Sequence, residues 1–416
     1  MSTASDTTHR PTILFVDDEA DVLAGVRRSL HRERSRWDVR FALTGREALQ
    51  IVDAEPVQVV VTDMRMPGMS GAEVLKYLQA KHPAVVRIVL SGEASTSAAF
   101  RSLPHVHRWL PKPCDRDSLV ETLESALQNM ATDESDDIEQ LIGSVTSLPS
   151  PPGLYLSLQQ ALNSGQASFD ELTGLIERDP AVTAKILQWG RSPLIGLGDS
   201  ATVRGAIAAV GIRSLTDLVL SIEVLVRMAP ESEIPGLDSE ALRDHAELTA
   251  QVAAYLVEPK LRGDARTAGL LHSIGMLVLA TRAHDRLVET VELARTEGLW
   301  IEDTERRVLH RTHGEIGARL LALWGLPQPV VDAVRDHRAA PDADGGKPLA
   351  RNVAGAVGIA SWIAARTLAD EGRIDPVFAH PTGIDVLRGD AKPAWADVAL
   401  AALHDRQPTE LAETAS

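Results

Sequence analysis

Residues 57–71 read VQVVVTDMRMPGMSG, a β-branched apolar run that stops at Asp63 and gives way to a turn at Pro67-Gly68. The run is too short for a helix and the Pro-Gly pair closes it. It therefore predicts a strand over Val57–Val61, buried on both faces, with Asp63 at its carboxyl end. Working outward, similar runs recur at Ile13–Val16, Trp37–Ala42, Val85–Leu90 and His105–Leu110, with amphipathic segments between them and a last helix over Asp115–Gln128. That alternation is the rhythm of βαβ units. It predicts an α/β domain: a five-stranded, doubly wound parallel sheet with helices on both faces.

The rhythm stops at Ala131–Asp137, which reads ATDESDD and is expected to be an acidic linker. Beyond it strand signals vanish, and apolar residues recur at the helical period between Pro and Gly breaks, so the second domain is expected to be all-α. Asp179-Pro180 is one helix start: the Asp can cap free N–H groups, and the Pro fits the first turn. A Gly-, Pro- and Asp-rich loop at Ala339–Pro348 separates the main helical part from a C-terminal helical extension over 341–416, and residues 1–10 are expected to be disordered. The chain of 416 residues carries a net charge of −16, which disfavours nucleic-acid binding. No apolar stretch approaches the roughly 20 residues of a membrane span, and no leader is recognisable, so a cytoplasmic protein is expected. The single cysteine, Cys114, excludes an internal disulfide and fits a helix-entry position better than a redox role.

In an open α/β sheet the chemistry gathers at the carboxyl ends of the strands. Those ends carry Asp17, Asp18 and Glu19 after the first strand, Asp63 after the third, Ser91 after the fourth and Lys112-Pro113 after the fifth. Carboxylates clustered this way repel one another unless a hard cation such as Mg²⁺ sits among them. Asp63 is then the candidate nucleophile for a phosphoryl group, with Lys112 neutralising the transferring oxygens and the Ser91 hydroxyl binding another. This set resembles the response-regulator receiver family over residues 11–130, whose fold is flavodoxin-like. The resemblance implies that Asp63 is the phosphoacceptor, Ser91 the phosphoryl-sensing hydroxyl and Lys112 the phosphoryl-binding lysine. Asp17, Asp18, Asp63 and the Arg65 carbonyl would hold Mg²⁺, and Trp109 would be the aromatic switch.

The helical half carries His245, His272, His310, His313 and His337. The segment Leu271-His272-Ser273-Ile274-Gly275 resembles the His-Asp motif of the HD phosphohydrolases, with Ser273 in place of the Asp. Ser361 falls where a later Asp ligand would be, and His337-Arg338 where related phosphodiesterases have a His pair. A metal hydrolase needs anionic ligands, and isolated histidines bind an ion weakly. His245, His272, Ser273, His313, His337 and Ser361 thus read as degenerate HD positions, each histidine expected to be a hydrogen-bonded core residue. Together with Leu148-Pro149, Ile176–Pro180, His313–Gly317 and Trp324–Pro327, they make residues 138–340 resemble the HDOD family, in which hydrolase activity is not general. Gly190-Arg191-Ser192 departs from that family's pattern. The expected protein is a response regulator phosphorylated by a sensor histidine kinase and signalling to a downstream protein. A homodimer is one assembly open to it. The alternative is a receiver-controlled, metal-dependent phosphohydrolase or phosphodiesterase.

Overall fold

The computed structural model describes residues 10–91, 105–128, 168–190, 202–209, 236–337 and 352–379, with isolated positions between 141 and 161. The expected disordered N-terminus, apart from Arg10, and the linker at 131–137 lie outside them. The chain divides into two compact units, with the main boundary after Thr146.

The first unit holds strands β1 (Thr12–Val16), β2 (Asp38–Ala42), β3 (Val59–Asp63), β4 (Val86–Ser91) and β5 (Arg108–Pro111), all parallel, in the order β2-β1-β3-β4-β5. Helices α1 (Ala20–Ser29), α2 (Gly45–Ala54), α3 (Gly71–Lys81) and α4 (Arg116–Gln128) accompany them. Strand β1 is buried along its whole length, because helices cover both faces of a parallel sheet. Leu14, Val16 and Val60 pack with Ala48, Val52, Val74 and Leu78 to form the larger core cluster.

Four strands start later than the sequence predicts, β3 at Val59 and β4 at Val86 among them, and for β2 and β5 the reason is visible. The Trp37 N–H donates to the Glu33 carbonyl (3.0 Å) and closes a turn, so β2 begins at Asp38. Before β5, the His105 carbonyl accepts from Arg87 Nε (2.8 Å), and the His107 ring lies against the same guanidinium, so the ladder begins at Arg108. Burial pushes the Arg87 guanidinium down to about 9. It remains a cation near neutrality, surrounded by the carbonyls of Pro83, Val85, His105 and Gly143.

The second unit is helical: α5 (Phe169–Glu177), α6 (Pro180–Gly190), α7 (Ser239–Leu256), α8 (Arg262–Leu271), α9 (Ile274–Arg282), α10 (His284–Glu297), α11 (Ile301–Val308), α12 (His313–Leu323), α13 (Gln328–Asp336) and α14 (Val353–Asp370). As the Asp-Pro pair implies, Asp179 Oδ1 accepts from the Ala181 and Val182 N–H groups (2.7 and 3.0 Å) at the start of α6. Helix α14 belongs to the segment read as an extension, yet it packs against α7, α8 and α13 at the centre of this unit. A Cβ on Gly358 would collide with the His337 carbonyl, and one on Gly275 with the His313 carbonyl, so glycine lets α14 and α9 approach those chain segments closely. No described helix is long and apolar enough to cross a membrane.

Candidate functional site

Strand order alone brings Asp17 and Asp63 together, since β1 and β3 are neighbours and Val16 pairs with Thr62. Asp63 pairs with Leu90 on β4, and Ser91 pairs with Pro111 on β5, so the expected residues line one edge of the sheet. Lys112 then reaches back across it. Its Nζ donates to Asp17 Oδ2 (2.7 Å) and to Asp63 Oδ1 (2.5 Å). Burial alone would lower the Lys112 ammonium, but these two carboxylates outweigh it and hold its pKa above the ordinary lysine value.

Each remaining oxygen is oriented by backbone. Asp17 Oδ1 accepts from the Glu19 N–H (3.0 Å), and Asp63 Oδ2 accepts from the Arg65 N–H (2.5 Å). Asp17 is buried, whereas Asp63 and Lys112 keep 15% and 22% of their side chains exposed. Asp18 is exposed beside them. The turn after Asp63 is shaped by Gly68, at φ +79°, and by Gly71, where a Cβ would collide with the Asp63 carbonyl. A Ser70–Glu73 capping box starts α3 there, with the Ser70 N–H donating to Glu73 Oε2 (2.8 Å). Ser91 ends β4, and Trp109 lies half-buried against Leu75, Val89 and Val106. Burial, aided by Asp115, pushes the Cys114 thiol up to about 11, so it is an inert thiol near neutrality.

The helical unit gathers its histidines as well. The ring centroids of His245 and His272 lie 4.7 Å apart, those of His272 and His337 5.1 Å, and those of His337 and His313 5.4 Å. All four residues are buried. His245 Nε2 lies 3.1 Å from the Ser361 carbonyl and therefore donates to it. His272 Nδ1 donates to the Gly269 carbonyl (2.7 Å), and its Nε2 accepts from the Ser273 hydroxyl (2.9 Å). The two serines at degenerate positions thus engage the neighbouring imidazoles. His310, by contrast, is exposed in the turn before α12 at φ 58°.

Two glutamates escaped the sequence reading. Glu305 is fully buried and holds His313 Nδ1 at 2.8 Å, and Glu302 lies beside His313 and His337. Helix α11 reads IEDTERRV and looks like a solvated charged helix. The faint signal was their phase: Glu302 and Glu305 share the buried stripe of Ile301, Thr304 and Leu309.

Comparisons with known proteins agree with this division. A model described as response regulator receiver domain matches residues 13–124, and one described as HDOD domain matches residues 148–340. An uncharacterized protein of Treponema pallidum is 26% identical over 56% of this chain and 44% of its own length. The hydrogenase transcriptional regulatory protein HoxA of Cupriavidus necator is 29% identical over 47% of this chain and 41% of its own length. The chain thus spans less than half the length of either relative. The crystal structure of the MmoQ response regulator from Methylococcus capsulatus aligns with 61% of this chain and 98% of its own, at 25% identity and a TM-score of 0.45.

Proposed function

Because the chain joins a response-regulator receiver domain, over residues 13–124, to an HDOD domain, over 148–340, we propose that it works as a phosphorylation-dependent response regulator, with Asp63 as phosphoacceptor and the helical unit as a non-catalytic output. The observation that carries this reading is the bridge from Lys112 Nζ to Asp17 and Asp63. In the reaction, an Asp63 carboxylate oxygen attacks the phosphorus of a phosphohistidine on the sensor kinase. The P–N bond breaks, and the imidazole leaves with the bonding pair and takes up a proton. Lys112 exchanges a carboxylate partner for a phosphoryl oxygen, keeping its charge opposed throughout.

The donor set fits Mg²⁺: hard oxygens from Asp17, Asp18, Asp63 and the Arg65 carbonyl, one carboxylate buried and another at the rim. When bound, the ion would neutralise the acidic set and the charge on the transferring oxygens. Ser91 and Trp109 are proposed to sense the new group, the first by hydrogen bonding and the second by moving on its apolar bed of Leu75, Val89 and Val106. The helical unit is assigned no hydrolysis, since Ser273 and Ser361 offer hydroxyls where an HD hydrolase uses carboxylates.

The test is labelling of the purified chain by acetyl phosphate with and without Mg²⁺. The parent chain should form one acid-stable, base-labile acyl phosphate, and Asp63→Asn should fall to background. Equal labelling of that variant would place the phosphoacceptor elsewhere. Phosphoester turnover that disappears in His272→Ala would instead favour a receiver-controlled phosphohydrolase.

A further inference from the structure

The histidine cluster is not uniform, and its second half has no place in the phosphoryl reading. His313 Nδ1 lies 2.8 and 2.9 Å from the two Glu305 carboxylate oxygens. A ring held there by a carboxylate carries its proton on Nδ1, and its Nε2 is left facing inward. Among the described residues that Nε2 is buried with no hydrogen-bond partner, on a residue only 1% exposed. A lone pair with no donor in a dry interior is costly, and it calls for a cation or a proton donor.

What converges on it decides which. His337 Nδ1 donates to the Val334 carbonyl at 2.6 Å, so this ring too presents Nε2 as its ligand side. The Glu302 carboxylate completes the set, and the candidate ligand atoms of Glu302, His313 and His337 all lie within 4.8 Å of one another. The residues come from separate pieces of chain: Glu302 from α11, His313 from the first turn of α12, and His337 from the end of α13. The two histidines are fixed independently. The Thr312–Glu315 capping box sets the start of α12, with the Thr312 N–H on Glu315 Oε2 at 2.8 Å, and the His313 N–H donates to Glu305 Oε2 at 3.0 Å.

We infer that Glu302, His313 and His337 form a binding site for one divalent transition-metal ion, with Glu305 as the outer carboxylate that orients His313. Two imidazoles and one carboxylate suit zinc and its first-row neighbours, whereas Mg²⁺ prefers an all-oxygen set. A carboxylate behind a ligating histidine fixes its tautomer and raises its basicity, which is the part Glu305 plays here. The site uses neither His272-Ser273 nor Ser361, so the loss of carboxylates there does not bear on it. Its role would be to clamp three helices, with no hydrolysis attached. It is independent of Asp63 and stands or falls separately from phosphorylation.

The experiment uses the untagged full chain in excess Mg²⁺, which occupies any all-oxygen site, and titrates Co²⁺ and Zn²⁺. One sample is titrated in the native state and another after unfolding and refolding with the ion, so that burial of the site cannot mask it. The expected result is one Co²⁺ per chain with visible d–d absorption, displaced by Zn²⁺, and a melting temperature that rises with Zn²⁺. Glu302→Gln and His313→Gln should each weaken binding at least tenfold, in line with loss of one ligand, whereas His245→Gln should leave it unchanged. Glu305→Gln should weaken binding less than either while altering the Co²⁺ spectrum. Should no Co²⁺ or Zn²⁺ bind in either sample, or should binding persist undiminished in both ligand variants, the site would be refuted. Circular dichroism of each variant separates loss of a ligand from loss of fold.

Discussion

Asp17, Asp63 and Lys112 meet with opposed charges and with Asp63 and Lys112 still in reach of solvent, whereas His245, His272, His313 and His337 meet in a dry interior through ring contacts and backbone carbonyls. Both clusters are drawn from residue types that handle phosphates and metals. The difference lies in where their unsatisfied atoms point. At the sheet edge two of the charged groups are still in reach of solvent, and under the proposed function an incoming phosphoryl group would replace a partner now held. Among the helices, the Ser273 hydroxyl engages His272 and the Ser361 carbonyl engages His245, while His313 Nε2 is buried without a hydrogen-bond partner among the described residues. The chemical name of a cluster therefore says less about its use than the direction of its lone pairs does.

The sharpest way to break this contrast is to damage one framework and watch the other. Gly275→Ala drives a Cβ into the His313 carbonyl and should destabilise the helical unit by about 3 kcal/mol while leaving Asp63 labelling intact. A two-step denaturation curve read together with labelling checks it, and a parallel loss of labelling would mean that the units do not act separately. Lys112→Met attacks the other side. It leaves Asp17 buried without its cation and should cost the first unit about 2 kcal/mol, together with most of the labelling rate.

A smaller effect is expected from Ser273→Ala, which strips one hydroxyl from His272 Nε2. The loss should be about 1 kcal/mol, read as a drop of a few degrees in melting temperature, with no phosphoester turnover gained or lost. The smallest is a pH effect. Lys112 has a folded pKa above its unfolded value, so its contribution is complete below about pH 10.5 and fades as pH rises through the folded value. On the alkaline side, stability curves of the parent and Lys112→Met should therefore converge only at high pH, and convergence near neutrality would contradict the assignment.

How much of this was legible beforehand differs between the two regions in the same way. Strand ends in a parallel sheet must share one edge, so Asp17, Asp63 and Lys112 could be placed together from β-branched runs alone. The late start of β5 could not, because it depends on Arg87 capturing the His105 carbonyl across the sheet. In the helical unit the histidines were visible as letters, but their convergence depends on close helix approach at Gly275 and Gly358. Glu302 and Glu305 were hidden because an acidic helix with Arg306 and Arg307 looks solvent-facing, and burying a carboxylate is a tertiary decision.

Arg87 has one more consequence, for the covalent connection between the units. Its guanidinium holds the Gly143 carbonyl at 2.7 Å, and a Cβ on Gly143 would collide with the Pro83 carbonyl, so the chain is pinned again to the first unit after α4 has ended at Gln128. Both ends of residues 129–140 are thereby fastened to the same body. Inserting residues between these two fastened points should therefore change the stability of the first unit only by loop entropy, about 0.6 kcal/mol per doubling of the segment.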